Sequence, residues 1–146
     1  TLTEAWDANP RASQNHFMLG HLDEWFYRSL AGISMAPGAT GFSKIVIKPQ
    51  PVGDITWAEA SFRSIRGVIS SHWSLQGGRF ELRVTVPPNA TATVYMPARD
   101  AASVSEGGHL AKLASGVRFL KMERGAAVYE IGSGTYAFAS SAAREQ

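Results

Sequence analysis

The side chains able to do chemistry concentrate near the start of the sequence. Glu4 and Asp7 flank Trp6 in "TLTEAWD", His16 follows Asn15 in "NHF", and His21, Asp23 and Glu24 come next. A carboxylate can take or give a proton in a transition state, and an imidazole can hydrogen-bond a hydroxyl in either direction. Spacing already removes some pairs. Asp23 and Glu24 are adjacent, so on a helix they diverge by ~100° and cannot converge on one reacting atom. Glu24 precedes Arg28 by four residues, the order that favours a surface ion pair, and His21 shares that polar stripe. His72 and His109 have no companion ligands at metal-site spacing. The segment "GSGT" at 132–135 lacks the lysine and the following helix of a phosphate loop, and no serine sits in a nucleophile elbow.

Composition narrows the field further. The chain has 146 residues, 45% hydrophobic and 18% charged, and this suits one ordinary globular domain with an appended element. Its formal charge is +2, and the basic residues are scattered, which argues against a nucleic-acid partner or a membrane surface. No cysteine is present, so disulfides and thiolate metal sites are excluded, although the compartment stays open. No run reaches the roughly 18 apolar residues of a membrane span. The first residues do not form a signal peptide, and a chain starting with Thr1 rather than Met reads as processed or truncated. No cofactor is called for.

Two kinds of element must position these groups. Asn15 is expected to cap a helix from about His16 to Ala31 through its side-chain carbonyl, with Gly32 as its stop. At ~100° per residue, Met18, Leu19, Leu22, Trp25, Phe26, Leu30 and Ile33 fill an apolar arc of roughly 140°, while the polar stripe of His21, Glu24 and Arg28 is narrow. That is more apolar width than a helix lying on one sheet needs, so some of its partners are missing from the chain. From Pro37 on, "SKIVIKPQP", "TWAEASFRS", "RGVISSHWSLQ", "RFELRVTVPP" and "TATVYMP" read as strands. They are followed by a hairpin around Gly107-Gly108 and three more strands in "VRFLKMERGAAVYEIGSGTYAFAS". Ile69, Trp73 and Leu75 fall on one face, as do Phe80, Leu82, Val84 and Val86, with a glycine hairpin at "QGGR". The fold class is therefore mainly β, an antiparallel β-sandwich of about eight to ten strands preceded by one amphipathic α-helix.

"GHLDEWFYRSLAGI" followed by "PGATGFSKIVIKPQPVGDITWAEASFRSIRGVISSHW" resembles the C-terminal part of bacterial α-L-rhamnosidases. These are inverting glycoside hydrolases with an (α/α)6 catalytic barrel and a C-terminal β-sandwich. The resemblance runs along nearly the whole chain. It is most specific from Asn15 to Ile33 and from Ile45 to Trp73, and weaker after Pro97. It implies that residues 1–36 are the terminal loop and helix of the barrel and residues 37–146 the sandwich. The missing helix partners would then belong to the remainder of the barrel.

The resemblance also implies roles. "TLTEAWD" is similar to the family's Leu-Trp-Glu-x-Trp-Asp segment, which puts its general base on Glu4, its aromatic on Trp6 and its acid on Asp7; Thr3 departs from the usual Trp. An inverting glycosidase needs a second, protonated carboxyl about 6.5–9.5 Å away, and nothing here resembles the segment that carries it. The competing reading of Glu4 is a solvated residue near a chain end. His16 matches the family's sugar-contacting histidine, against a packing role on Trp6 or Phe17. Trp6 suits stacking on a sugar ring or a place in a core.

Two functions from different classes follow. One is the C-terminal portion of an enzyme that hydrolyses terminal α-L-rhamnose from glycosides, inactive alone and prone to self-association through its helix. The other is a free-standing carbohydrate-binding sandwich with Trp57, Trp73 or Tyr95 as platform, although Trp57 and Trp73 also read as core or sheet-face residues.

Overall fold

The computed structural model describes Thr3 and residues 9–141. Among the described residues, eleven strands form two sheets. The first has the order β1-β2-β6-β10-β9 and the second β3-β4-β5-β11-β7-β8. In chain order the strands are β1 (Ile33–Met35), β2 (Lys44–Ile47), β3 (Trp57–Ser64), β4 (Gly67–Gln76), β5 (Arg79–Val86), β6 (Thr91–Pro97), β7 (Val104–Glu106), β8 (His109–Leu110), β9 (Val117–Glu123), β10 (Ala126–Ile131) and β11 (Gly134–Ser141).

The strands expected from the alternation, about eight to ten, are present, and the mainly β sandwich is the observed fold. The eleventh, β1, corrects the sequence reading. Ile33 continues the apolar arc of the helix in spacing, yet it pairs with Ile47, and Met35 pairs with Ile45. A second departure concerns direction: β2 runs parallel to β6, from Lys44↔Thr91 to Ile47↔Val94, whereas every other pairing among the described residues is antiparallel.

The core lies between the sheets, and period-two alternation builds it. Ile69 and Trp73 of β4 point inward with Leu82 and Val84 of β5, and across from them lie Val94 and Met96 of β6 and Tyr129 and Ile131 of β10. Trp73 stacks on Phe80 with ring centroids 5.8 Å apart, and Tyr129 stacks on Phe138 at the same separation. Each buried ring of this size contributes about 3–5 kcal/mol when judged by truncation to alanine, so the core outweighs any surface pair. Turn chemistry fixes the register: Gly77 and Gly78, at φ 58° and 80°, close the β4–β5 hairpin, and Gly107 and Gly108, at 56° and 83°, close β7–β8.

The helical region differs from the single α-helix expected. One continuous segment changes pitch twice. It is 3-10 over Phe17–Gly20, α over His21–Trp25 (α1), and π over Phe26–Leu30. The wide turn shows in the Ala31 amide, which donates to the Phe26 carbonyl five residues back at 2.9 Å. Asn15 caps differently from expectation, because its backbone carbonyl, not its side chain, accepts from the Phe17 amide at 3.0 Å. Gly32 does stop the segment, at φ 77°.

Burial pushes the Tyr129 phenol up to about 12, with the nearby charge of Asp100 as the lesser cause. The raised value disfavours the ionised form only in the folded chain. Its stabilising contribution is thus complete below the unfolded value near 10 and is lost as pH rises through about 12. Urea unfolding followed across pH 9 to 12 should show a falling alkaline limb that Tyr129→Phe flattens; an unchanged limb in the variant would contradict this assignment.

Candidate functional site

The helical segment meets the sandwich at its own C-terminal end, where backbone chemistry sets the join. The last carbonyls of a helix have no partner within it and must find one elsewhere. Here the sandwich supplies four donors in succession. The Gln50 amide donates to Ser29 at 3.0 Å and the Trp73 indole N–H to Leu30 at 2.7 Å. The Ser71 hydroxyl donates to Ala31 at 2.7 Å and the Lys48 amide to Gly32 at 2.8 Å. Ser71 and Trp73 alternate on the inward face of β4, so the strand that builds the core also holds the helix end. Gly32 is required at the join for a second reason besides its φ. A Cβ there would lie 2.2 Å from the Pro49 nitrogen and 2.3 Å from the Lys48 carbonyl carbon.

Among the described side chains, the end of the segment is the covered part. Leu30 and Ala31 are buried, while Phe17 is 75% exposed and Met18, Leu22, Trp25, Phe26 and Tyr27 all lie open to solvent. Trp25 and Phe26 meet edge to face, with centroids 5.4 Å apart. An apolar surface on this scale on one short element marks a binding face. It continues into the sandwich, where Tyr27, Ile33, Met35, Phe42 and Phe62 line an apolar groove of about 580 Å³ between the sheet edges. Phe42 and Phe62 pack there at 4.8 Å. The sequence reading missed this groove. Met35 and Phe42 sit in or beside a short strand and a glycine loop, where periodicity carries no signal.

The polar side of the segment faces a second groove of about 430 Å³, bounded by His21, Glu24 and Arg28 with Ser34 and Lys48. The expected surface ion pair is present: Arg28 Nη1 lies 2.5 Å from Glu24 Oε1. Hydrogen bonding from Arg28, reinforced by its charge, lowers the Glu24 carboxyl from its ordinary value. An ionised carboxylate already engaged by a guanidinium is a poor proton acceptor, so this pair is structural.

The sequence-derived candidates fall as follows. Glu4 and Trp6, with Asp7, lie outside the described residues. His16 stands immediately before the 3-10 turn, partly buried, and its side chain caps nothing. The polypeptide before it is ordered by Asn9: the Arg11 amide donates to Asn9 Oδ1 at 2.9 Å, and Gln14 Nε2 donates to its carbonyl at 2.8 Å. Trp73 has 0% exposure, so of the three platform candidates it is a core residue. Tyr95 is half-buried and carries the Lys48 ammonium 4.8 Å from its ring centroid. Trp57 is exposed. Among the described residues no three His, Asp or Glu side chains converge as metal ligands, and no helix is long and apolar enough to cross a membrane.

Comparison with known proteins gives this pinned helix end and its uncovered apolar face a context. Residues 32–111 match the family described as the bacterial α-L-rhamnosidase C-terminal domain. An α-L-rhamnosidase of Streptomyces avermitilis is 37% identical across 94% of this chain. The chain belongs to this family. The match occupies only 13% of the Streptomyces enzyme, and 16% of a Formosa agariphila α-L-rhamnosidase that is 29% identical across 94% of this chain. Two solved structures agree in fold. The Streptomyces avermitilis enzyme, in complex with L-rhamnose, superposes with TM-score 0.79 at 36% identity, covering 95% of this chain and 13% of that one. The α-L-rhamnosidase from Dictyoglumus thermophilum gives TM-score 0.79 at 32% identity, covering 97% and 16%. The matched part is thus the C-terminal domain, with most of each relative lying outside it.

The join is testable by single atoms. Ser71→Ala leaves the Ala31 carbonyl buried without its donor and should cost about 1–3 kcal/mol in urea unfolding. Gly32→Ala combines a left-handed φ with a backbone clash and should cost more than that. Midpoints unchanged in both variants would show that the donors do not hold the helix end.

Proposed function

We propose that this chain is the C-terminal portion of an enzyme that hydrolyses terminal α-L-rhamnose from glycosides with inversion of configuration. In this reading the residues before β1 are the last loop and helix of an (α/α)6 catalytic barrel. The sandwich is a structural domain that holds that helix by its carbonyl end and covers one side of the barrel. The observation that carries the reading is the helix itself, anchored at Ser29–Gly32 and bare along Phe17, Leu22, Trp25 and Phe26. The proposed partner of that bare face is the remainder of the barrel. Without it, the same face drives self-association of the isolated chain.

Within the intact enzyme Glu4 is the proposed general base, activating a water that attacks the rhamnose anomeric carbon on the face opposite the departing aglycone, and Trp6 and His16 are the proposed sugar contacts. The general acid lies in the upstream part. Inversion needs both carboxyl groups, one ionised and one protonated, and neither can do the other's work in a single displacement. A general acid or base is typically worth about 10²–10⁴-fold in rate.

The purified 146-residue chain should therefore release no nitrophenol from a nitrophenyl α-L-rhamnoside. Joined to the upstream part of its polypeptide it should turn over, and Glu4→Gln in that longer protein should lower kcat by about 10²–10⁴-fold. Turnover by the isolated chain that survives Glu4→Gln, or a longer protein indifferent to the substitution, would contradict the proposal.

A further inference from the structure

The two faces of β3 and β4 have different tenants. Ala58 pairs with Trp73, and Trp73 points inward to the helix end through its bond to Leu30. One residue along each strand the side chains reverse. Trp57 and Ser74, a cross-strand pair, therefore stand on the outer face, on the opposite side of the sheet from the helix. The same register continues across β5. Ser74 pairs with Glu81, and the next row runs Glu59, His72, Arg83. Trp57 thus belongs neither to the core nor to the bare face of the helix.

Trp57 is 61% exposed on this face, and its immediate row and the next carry only polar side chains on β4 and β5. Glu59, His72 and Arg83 make no side-chain hydrogen bond or ion pair with another described residue, and Glu81 is paired with Arg79 at 2.8 Å. The chemistry of what fits such a surface is narrow. A polyanion needs concentrated cationic charge, and here Arg79 and Arg83 are offset by Glu59 and Glu81. A protein partner favours an apolar patch with charge depleted at its centre, and a lone indole among polar groups is not one. A pyranose has what this surface lacks: a flat C–H face to lie on an indole and a rim of hydroxyls that both donate and accept.

We propose that the outer face of β3–β5 around Trp57 is a binding site for a neutral pyranoside. The sugar ring stacks on the Trp57 indole. Its hydroxyls reach Ser74 across one strand spacing of about 4.8 Å and Glu59 and His72 one residue pair further along. The proposal does not depend on the assignment of the catalytic residues. It would let the sandwich hold a polymeric or multiply glycosylated substrate by a sugar other than the one being cleaved.

Native affinity electrophoresis of the full chain tests this, with each gel compared to a polysaccharide-free gel so that self-association cancels. The probes are α-L-rhamnose grafted on polyacrylamide, an uncharged carrier, and hydroxyethyl cellulose, a neutral glucan. Retardation by at least one probe is expected, weakened about tenfold in Trp57→Ala and only partly in Trp57→Phe, with circular dichroism unchanged. Absence of retardation on both probes, or retardation that Trp57→Ala leaves intact, would overturn the proposal.

Discussion

Four consecutive carbonyls, Ser29 to Gly32, each find a donor from the sandwich, and the rest of the molecule depends on that docking. A helix end buried without partners would leave each orphaned group costing about 1–3 kcal/mol. Supplying the donors from β4 and from the segment after β2 turns that liability into a fixed geometry. The helix cannot rotate about its end without breaking bonds to β4 and to the segment after β2 at once. Its bare side is therefore presented in one direction, as an interface requires.

The same constraint explains local features that otherwise look unrelated. The π turn over Phe26–Leu30 widens the last turn, and the left-handed Gly32 then directs the chain into β1. That glycine sits where Pro49 and Lys48 approach within a Cβ's radius, so the turn and the close contact are one device. Ser71, a polar residue buried in a β-sandwich core, has its place because its hydroxyl serves Ala31. Trp73 does double service, stacking on Phe80 within the core while its N–H reaches the helix. Packing and capping thus share side chains, which couples the sandwich's stability to the helix's position.

Much of this was legible in the sequence, for identifiable reasons. Strands β3 to β6 alternate, and the Gly77-Gly78 turn leaves β4 and β5 little freedom of register. The excess of apolar residues between Phe17 and Leu30 could be read as a face wanting partners, and it is open to solvent in the structure. Three things could not be read. Ile33 continues the helical spacing by chance, so its place in β1 depends on pairing with Ile47, a tertiary fact. The parallel β2–β6 pairing has no local signature. The roles of Trp57 and Trp73 were indistinguishable by composition, and only the inward or outward phase of each strand separated a core ring from an exposed one. Of the chemical residues, His16 is described at the start of the helical segment, whereas Glu4 and Trp6 lie outside the described residues.

The decisive question is whether the bare helix face is buried when the chain is joined to the upstream part proposed for it. Hydroxyl-radical footprinting of Phe17, Met18, Leu22, Trp25, Phe26 and Tyr27 in the isolated chain at high dilution and in the full-length polypeptide measures this directly. Strong labelling in the short chain, with most of it lost in the long one while Trp57 stays labelled, is the expected pattern. Equal labelling of the helix in both would mean that nothing covers it, and the chain would then have to be understood as a sandwich without a barrel.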